Sequence, residues 1–428
     1  MHKMVTETAE AARSAPFHGW HVVGGAFVLA MFGWGMGFYG PPVYLHAVRD
    51  ATGWPLALVS TAVTVHFLIG AVAVANLPAL HRRFGVAATT KAGALALAVG
   101  VAGWAVAAEP WQLLPALALS GAGWAATSAA AVNAIVSPWF VRRRPAALAM
   151  AYNGASVGGI VFSPLWVAAI GALGFPVAAA AVGAVMALTV WVVADLLFTR
   201  TPQQMGLAPD GGDAATRQPM TADAPSRPRP PSGAPLWRDL RLATLAAAMA
   251  LGLFAQIGLI AHLFSLLVPA FGAQLAGVAM GAATAAAIAG RTLVGALMPP
   301  GADRRLVAAL SYAVQIAGSA AFILAAGGSV PLLIVGVVLF GAGIGNATSL
   351  PPVIAQAEFA EEDVARVVAL VVAVAQGVYA FAPAAFGLIR DLAPHAPGMH
   401  PGAAPCLFAA AALVQALAVA ALLAGRRR

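Results

Sequence analysis

Cysteine is almost absent from this 428-residue chain, and charged residues make up only 9% of it. The single cysteine, Cys406, excludes a disulfide within the chain and any metal site built from cysteines. Soluble domains carry close to a quarter charged residues. A content of 61% hydrophobic residues, with a mean hydropathy of +0.86, therefore excludes an ordinary soluble protein.

Catalytic and nucleotide-binding motifs are lacking as well. No glycine-rich loop with a lysine is present to hold phosphates, which argues against an ATP-driven pump. No cluster of His, Asp and Glu has the spacing of a metal site. We therefore predict that the chain is not an enzyme and uses no metal or cofactor. The net charge of +8 does not predict a nucleic-acid partner, because the basic residues lie in short loops at helix ends.

Long apolar runs dominate what is present. A run of 18 or more apolar residues is typical of a membrane-spanning helix. The first run is too long for a cleaved signal peptide and shows no clear cleavage site. The sequence thus predicts an all-α integral membrane protein with twelve transmembrane helices, α1 to α12, over 20–43, 55–79, 88–108, 113–136, 146–170, 174–198, 242–268, 274–298, 305–326, 330–354, 365–389 and 403–424.

The basic residues predict the orientation. Twenty of the 23 Lys and Arg residues fall in alternate loops on the side of the N-terminus, and the opposite loops hold only Arg49 and Arg390. Cytoplasmic loops carry the excess of Lys and Arg. We expect a multi-pass protein of the inner (plasma) membrane with both termini in the cytoplasm.

A segment rich in proline, glycine and alanine divides the chain. Residues 200–240 show no apolar period and predict a disordered or semi-rigid cytoplasmic linker. It separates six helices in 1–199 from six in 241–428. The halves share motifs: Gly121-Ala122-Gly123 in α4 matches Gly341-Ala342-Gly343 in α10. Two six-helix bundles around a central site form a transporter architecture.

Arg291 is the basic residue that lies inside an apolar segment, about seven residues from the end of α8. A charge in hydrocarbon is costly, so such a residue is by default a candidate functional site. A fixed positive charge beside the pathway predicts an anionic substrate. The alternative is a structural arginine that bonds to helix carbonyls or extends its guanidinium to the membrane surface.

The stretch WFVRRRPAALAMAYNGASVGG, which leads into α5, resembles the α5 signature of monocarboxylate transporters in the major facilitator superfamily. A second similarity is Arg291 followed four residues later by Gly295. The resemblance implies that Arg291 binds the substrate carboxylate, and it extends to oxalate/formate-type exchangers. The motif is carried by Trp139-Phe140, by the basic run Arg142 to Pro145, and by Ala147, Gly154, Val157 and Gly158.

The superfamily resemblance also assigns gating loops. Asp303-Arg304-Arg305, after α8, resembles the loop that latches the two halves in one state, and Arg143 and Arg144 lie in the loop before α5. Two positions depart from the pattern of the family's proton-linked members: Ala287 replaces an aspartate, and Pro42 replaces a lysine. The loop LHRRFG also lacks the aspartate that the superfamily motif places near Arg82. Anion transport is therefore better supported than the family's proton mechanism.

Neutral polar residues at similar or greater depth complete the candidate substrate site. They are Tyr152 and Asn153 in α5, Asn346 in α10, and Gln376 and Tyr379 in α11. Neutral amides and phenols can donate to a carboxylate without adding charge. The resemblance to oxalate/formate-type exchangers implies that carriers of dicarboxylates need a second embedded cation. Because α11 offers Gln376 and no lysine, one carboxylate is favoured over two. Buried amides also join helices to one another, which is the alternative for each of these residues.

No carboxylate lies in the middle of a predicted helix, so proton coupling would need histidine or the substrate itself. His66 in α2 and His262 in α7 are the candidates, because histidine titrates in the useful range. A lone intramembrane histidine also serves as a helix–helix hydrogen bond. The hypothesis is that one of the two affects proton-linked uptake.

These observations together predict a secondary active transporter of small organic monocarboxylate anions, working by alternating access as a symporter with protons as the candidate co-substrate. The alternative is an efflux transporter of lipophilic or drug-like compounds with a wider aromatic pocket, where Trp34 and Trp124 line that pocket or pack in the core. The expected surroundings are the lipid bilayer, and fold-level analogy predicts a monomer.

Overall fold

The computed structural model describes residues 17–211, 239–299, 301–393 and 398–426. Within those residues all the regular elements are helices, and eleven helices are long and apolar enough to cross a membrane. The bounds are α1 His18–Gly37 and Pro41–Thr52, α2 Leu56–Phe84, α3 Val86–Val106, α4 Leu113–Thr127 and Ala129–Val136, α5 Arg144–Leu173, α6 Phe175–Val193 with a π-helical turn Ala194–Phe198, α7 and α8 together Leu240–Leu297, α9 Arg304–Ala325, α10 Val330–Ile344 and Asn346–Glu358, α11 Glu361–Tyr379 and Ala382–Leu392, and α12 Pro405–Ala424.

The helix Leu240–Leu297 contains two crossings. Its 58 residues would make a straight rod of about 90 Å, three times the thickness of the hydrocarbon core. The chain turns at Gly272, whose φ of 72° is a left-handed conformation that glycine adopts without strain. Arg305, just after α8, donates to the carbonyl of Arg241, at the start of α7, over 2.9 Å. The two arms therefore fold back on one another, which confirms twelve crossings in two six-helix bundles.

Four of the twelve crossings are broken near their middle or end. α1 is interrupted between Gly37 and Pro41, and α11 between Tyr379 and Ala382, each beside a proline. α4 and α10 break soon after their matching Gly-Ala-Gly motifs, at Ser128 and Gly345. Interrupted backbone at membrane depth is tolerated where it is packed within protein or lines a cavity. These breaks thus mark the interior of the protein.

Small residues set the distances between helices. A side chain at Gly154 or Gly158 of α5 would collide with the backbone carbonyls of Phe27 and Met31 in α1. Gly341 of α10 lies in the same way against the backbone of Ala283 in α8. Close backbone approach through glycine is the ordinary means of helix packing in lipid, so the glycine motifs are packing surfaces.

The first part of the predicted disordered or semi-rigid linker has local structure. Residues 203–211 form two short turns, Gln203–Met205 and Pro209–Gly211. The carboxylate of Asp210 accepts hydrogen bonds from the backbone N–H groups of residues 141–143, at 2.8 to 3.1 Å. This part of the linker is thereby attached to the first bundle. Residues 212–238 lie outside the described residues.

Candidate functional site

The two bundles meet along α5 and α8. We call the face where α1 begins and α12 ends the terminal face, and the other the opposite face. Toward the opposite face, Gly277 of α8 lies against Val167 and the Ser163 carbonyl of α5, and Gly281 lies against the Ile160 carbonyl. The absence of a side chain at both glycines lets the helices touch. This half of the seam is tightly closed.

A second seam joins α2 to α11 on the same side of the protein. The hydroxyl oxygen of Thr64 accepts a hydrogen bond from the backbone N–H of Ala384 at 3.0 Å. The carboxylate of Asp391 accepts one from the N–H of Ala57, at the start of α2, at 2.8 Å. Polar contacts between the halves thus lie toward the opposite face, as the glycine contacts do.

Arg291 lies where the first seam opens. Its guanidinium donates to the hydroxyl of Ser156 in α5 over 3.3 Å, so it reaches from one bundle to the other. One turn further toward the terminal face, a side chain at Gly295 would meet no atom within 4 Å. We infer that the halves separate beyond Arg291, and we call the space between them on the terminal-face side the cleft.

The break in α10 positions this arginine. A side chain at Gly345 would lie 3.1 Å from the Cβ of Arg291 and still closer to the carbonyl of Ala287. Among the residues that the structure describes, no carboxylate lies within ion-pair distance of Arg291. The guanidinium is half-buried and has a neutral hydroxyl as its cross-bundle partner. Ser156 and Gly345 were not predicted from the sequence, since neither type of residue is unusual in a membrane helix.

Four other predicted site residues lie on α5 and α11, the helices that form the two seams with α8 and α2. Asn153 is exposed and lies one turn from Ser156 on the same face of α5. The Tyr152 hydroxyl donates to the carbonyl of Ala129 at 3.1 Å. On the other bundle, Tyr379 approaches the ring of Phe67 in α2, with 6.3 Å between centroids. Gln376 is half-buried one turn before Tyr379.

Asn346 is placed elsewhere. Its side chain is 3% exposed and faces the interior of the second bundle, in a cavity of about 10 Å³ that Leu245, Tyr312 and Leu422 help to line. That volume is too small for an organic substrate. Asn346 follows Gly345 directly, yet it points in a different direction, about 100° around α10, while Gly345 packs on α8.

His66 has the environment of a structural residue. Its Nε2 is 3.1 Å from the carbonyl of Gly37, so this nitrogen carries the proton and donates. Its Nδ1 is 2.9 Å from the hydroxyl of Ser120, which must then be the donor. The Ser120 oxygen in turn accepts from the indole N–H of Trp104 at 3.3 Å. A neutral imidazole satisfies every member of this network, which joins α1, α2, α3 and α4.

His262 differs from His66. Its Nε2 donates to the carbonyl of Pro383 at 3.0 Å, beside the break in α11, while its Nδ1 is buried without a hydrogen-bond partner among the described residues. The ring lies close to Gly387, which packs on Ser60 of the other bundle. Of the two predicted histidines, His262 is therefore the one beside a contact between the halves.

The basic loops at the terminal face make their contacts within one bundle. Arg144 donates to the carbonyl of Phe140 at 2.9 Å, and Arg304 donates to that of Val353 at 2.9 Å. The N–H of Arg143 is among the three bound by the linker carboxylate. Within the part of the chain that the structure describes, these contacts stiffen each bundle and none of them joins the two halves.

Asp303 organises the loop after α8. Its carboxylate accepts the backbone N–H groups of Arg305 and Leu306 and pairs with Arg426 at 2.6 Å. Burial by itself would raise the pKa of Asp303, but the Leu306 N–H, the Arg426 guanidinium and the Arg305 N–H outweigh it and hold the pKa below its ordinary value. The loop is thereby fixed to the end of α12.

Comparisons with known proteins agree with this architecture. The family model described as Major Facilitator Superfamily matches residues 23–383. A bacterial homolog of the human lysosomal transporter Spinster, in an inward-facing and occupied conformation, superposes with a TM-score of 0.72 at 14% identity, covering 96% of this chain and 97% of that one. The nucleoside transporter NupG superposes with a TM-score of 0.69 at 13% identity, covering 96% and 99%. At these identities the likeness shows the fold alone. No curated protein sequence matches the chain.

Proposed function

Because the chain belongs to the Major Facilitator Superfamily and is a membrane transporter, we propose that it carries small organic monocarboxylate anions, with Arg291 binding the carboxylate. Transport is secondary active and proceeds by alternating access. Tyr152, Asn153, Gln376 and Tyr379 supply neutral hydrogen-bond donors around the anion. Asn346 is not part of this site, because it faces the interior of the second bundle.

The observation that carries the proposal is the position of Arg291 in the cleft. Its guanidinium has no carboxylate partner among the described residues and contacts only a hydroxyl across the seam. A guanidinium in a partly dehydrated cleft gains most from a ligand that accepts two parallel hydrogen bonds, and a carboxylate has that geometry. A soluble anion is therefore the natural partner of this residue.

The same position links binding to conformational change. Arg291 belongs to the second bundle and Ser156 to the first, so an anion between them contacts both halves. A ligand shifts a conformational equilibrium only through different contacts in the two states. Rocking one bundle on the other would separate the seam at Gly277 and Gly281 and close the cleft, while the site stays between the bundles.

Orientation and coupling complete the proposal. The excess of basic residues assigns the terminal face to the cytoplasm, so the cleft opens inward. His262 is the candidate for proton coupling, since it has a free ring nitrogen beside the α11 break. The protein acts as a monomer in the plasma membrane.

The test is uptake by purified protein in liposomes, with a panel of radiolabelled monocarboxylates. Arg291→Gln removes the charge and keeps a polar side chain, and Arg366→Gln is the matched control, because Arg366 is exposed at the start of α11. We expect uptake to fall at least a hundredfold in Arg291→Gln and to stay within twofold of wild type in Arg366→Gln. Both proteins should elute as single species in size-exclusion chromatography.

Two results would overturn the proposal. The first is the absence of any monocarboxylate uptake by well-folded wild-type protein. The second is transport of neutral lipophilic compounds that persists in Arg291→Gln, which would instead establish an efflux transporter of such compounds.

A further inference from the structure

A row of aromatic rings runs from α5 through α1, α4 and α2 to α11, with Trp124 and Phe67 buried and the other members half-buried. We call it the aromatic row, and it consists of Tyr152, Trp34, Trp124, Phe38, Phe67 and Tyr379. Neighbouring centroids are 6.4 Å apart for Tyr152 and Trp34, 5.0 Å for Trp34 and Trp124, 6.2 Å for Trp124 and Phe38, 6.1 Å for Phe38 and Phe67, and 6.3 Å for Phe67 and Tyr379. These separations lie within the usual range for interacting rings.

The row begins and ends at contacts between the bundles. At one end, Tyr152 lies one helical turn from Ser156, the partner of Arg291. At the other end, Phe67 of the first bundle meets Tyr379 of the second. The row therefore crosses the first bundle from one contact with the second bundle to another, and one end lies beside the positive charge.

The break in α1 connects the middle of the row to Arg291. Phe38 and Tyr39 follow the end of the first α1 segment, with 5.0 Å between their centroids. The Tyr39 ring and the Thr284 side chain of α8 both lie against Gly159 of α5, and Thr284 precedes Arg291 by about two helical turns on α8. A ring that stacks on Phe38 would thus lie beside the segment of α1 that reaches α8, the helix that carries Arg291.

The tryptophans of the row differ from those of the core. Trp104 and Trp166, which are fully buried, donate their indole N–H groups to Ser120 and to the carbonyl of Gly35. Among the described residues, the indole N–H groups of Trp34 and Trp124 have no such acceptor, and Trp34 is only half-buried. A buried tryptophan ordinarily finds a partner for its N–H. Trp124 packs against Gly37 and Gly70 of its own bundle, so the half-buried Trp34 is the ring of this pair that can offer its N–H to a ligand.

We propose that the transported anions are aromatic monocarboxylates, such as arylacetic or indole-acetic acids, whose ring packs on the aromatic row while the carboxylate binds Arg291. This inference rests on the proposed function. The Tyr152 and Ser156 positions are about 6 Å apart along α5, which suits a carboxylate joined to its ring by a short aliphatic chain. Small aliphatic acids such as acetate would bind the guanidinium of Arg291 but make no contact with the rings of the aromatic row.

Equilibrium binding to detergent-solubilised protein tests the inference without leakage of protonated acid across a membrane. Isothermal titration calorimetry at neutral pH compares phenylacetate and indole-3-acetate with acetate and pyruvate. Aromatic contacts predict a Kd at least about tenfold lower for the aromatic acids. Phenylacetamide, the neutral counterpart of phenylacetate, should bind at least tenfold more weakly than phenylacetate.

Variants of the row then assign the preference to it. Trp34→Leu should reduce the ratio of the acetate Kd to the phenylacetate Kd to about two. Trp111→Leu is the matched control, because Trp111 is exposed outside the cleft, and it should leave the ratio unchanged. If Trp34→Leu does not elute as a single species, Phe38→Leu takes its place.

The outcomes separate this inference from the proposed function. Equal Kd values for aromatic and aliphatic acids, both lost in Arg291→Gln, overturn the aromatic preference and leave monocarboxylate transport standing. Tight binding of phenylacetate and phenylacetamide alike, unchanged in Arg291→Gln, overturns the proposed function. Binding of neither class of acid to monodisperse wild-type protein overturns both.

Discussion

The guanidinium of Arg291 and the hydroxyl of Ser156 are joined by a hydrogen bond of 3.3 Å across the two bundles, at the point where α5 and α8 separate. A charged donor therefore has a neutral acceptor in the state described. Where a carboxylate competes with a hydroxyl for a guanidinium, the carboxylate forms the stronger bond. The Ser156 hydroxyl thus accepts the hydrogen bond that we assign to the substrate carboxylate.

A carboxylate built into this position should act as a permanent occupant. We expect Ser156→Asp to pair with Arg291 and to lower monocarboxylate uptake at least tenfold, while Ser156→Asn, which is of similar size and neutral, lowers it less than fivefold. Initial uptake rates in proteoliposomes measure both. Equal rates for the two variants would show that Arg291 does not require a free positive charge.

The hydrogen bond from the Ala57 N–H to Asp391 should help to hold the opposite face closed. Asp391→Asn removes the charge of the acceptor and weakens this hydrogen bond. The bond contributes about 1 kcal/mol, which corresponds to roughly fivefold in the equilibrium constant between the closed and open states of this face. In a Cys406→Ser background, a cysteine at Ser60 should then react several-fold faster with a membrane-impermeant maleimide.

Asp50→Asn is the control for that experiment, because Asp50 lies on the same face and pairs with His46 of its own bundle at 3.2 Å. It should leave the labelling rate of the Ser60 cysteine unchanged. An identical rate in Asp391→Asn and wild type would exclude a role for Asp391 in closure.

The two buried histidines should behave differently on substitution. His66→Gln breaks a satisfied network, so it should lower the stability by about 1 to 3 kcal/mol and keep the pH dependence of uptake. His262→Gln should change that dependence, because His262 lies beside a contact between the halves. A wild-type pH profile of uptake in both variants would remove histidine from proton coupling.

Asp303 should stabilise the protein through its charge at neutral pH. Its pKa is held below the ordinary value, so its contribution is complete well above pH 4 and is lost as the pH falls through the folded-state pKa. Asp303→Asn keeps a side chain that can cap α9 and removes the charge. Because the ion pair with Arg426 is more than a third exposed, we expect a cost of about 1 kcal/mol or less.

Thermal unfolding in detergent measures this difference. The Tm of Asp303→Asn should lie about 2 °C below wild type from pH 8 to pH 5, and the gap should shrink below about pH 4. Asp303→Ala, which also removes the cap, should lose about 1 kcal/mol more. A gap that widens in acid would contradict the assignment.

Much of the fold could be predicted because it depends on properties that run along the chain. The predicted gap between α7 and α8, at 269–273, contains the turn at Gly272, since an apolar run cannot extend far beyond the thickness of a bilayer. The helix ends were less accurate. α1 continues to Thr52 and α2 to Phe84, because charged residues at helix ends stay helical once they reach the membrane surface.

The site was only partly predictable. The sequence could single out Arg291 as a candidate because the cost of a charge in hydrocarbon does not depend on its neighbours. Asn346 has a similar depth but faces the interior of its bundle, and the linker residue Asp210 binds the loop before α5 although its segment has the composition of a disordered chain. Neither placement leaves a signal in the local sequence, because each depends on a partner far along the chain.

The sequence by itself determined the number of crossings, the division into two halves and the embedded positive charge, because apolar length and charge act locally and set how deep each residue lies. Only the tertiary structure decided which residues face the cleft. The rotation of each helix is fixed by glycine contacts with its neighbours and by the breaks in α1, α4, α10 and α11. These contacts bring Arg291, Ser156 and the ends of the aromatic row to the boundary between the bundles and turn Asn346 and His66 away from it.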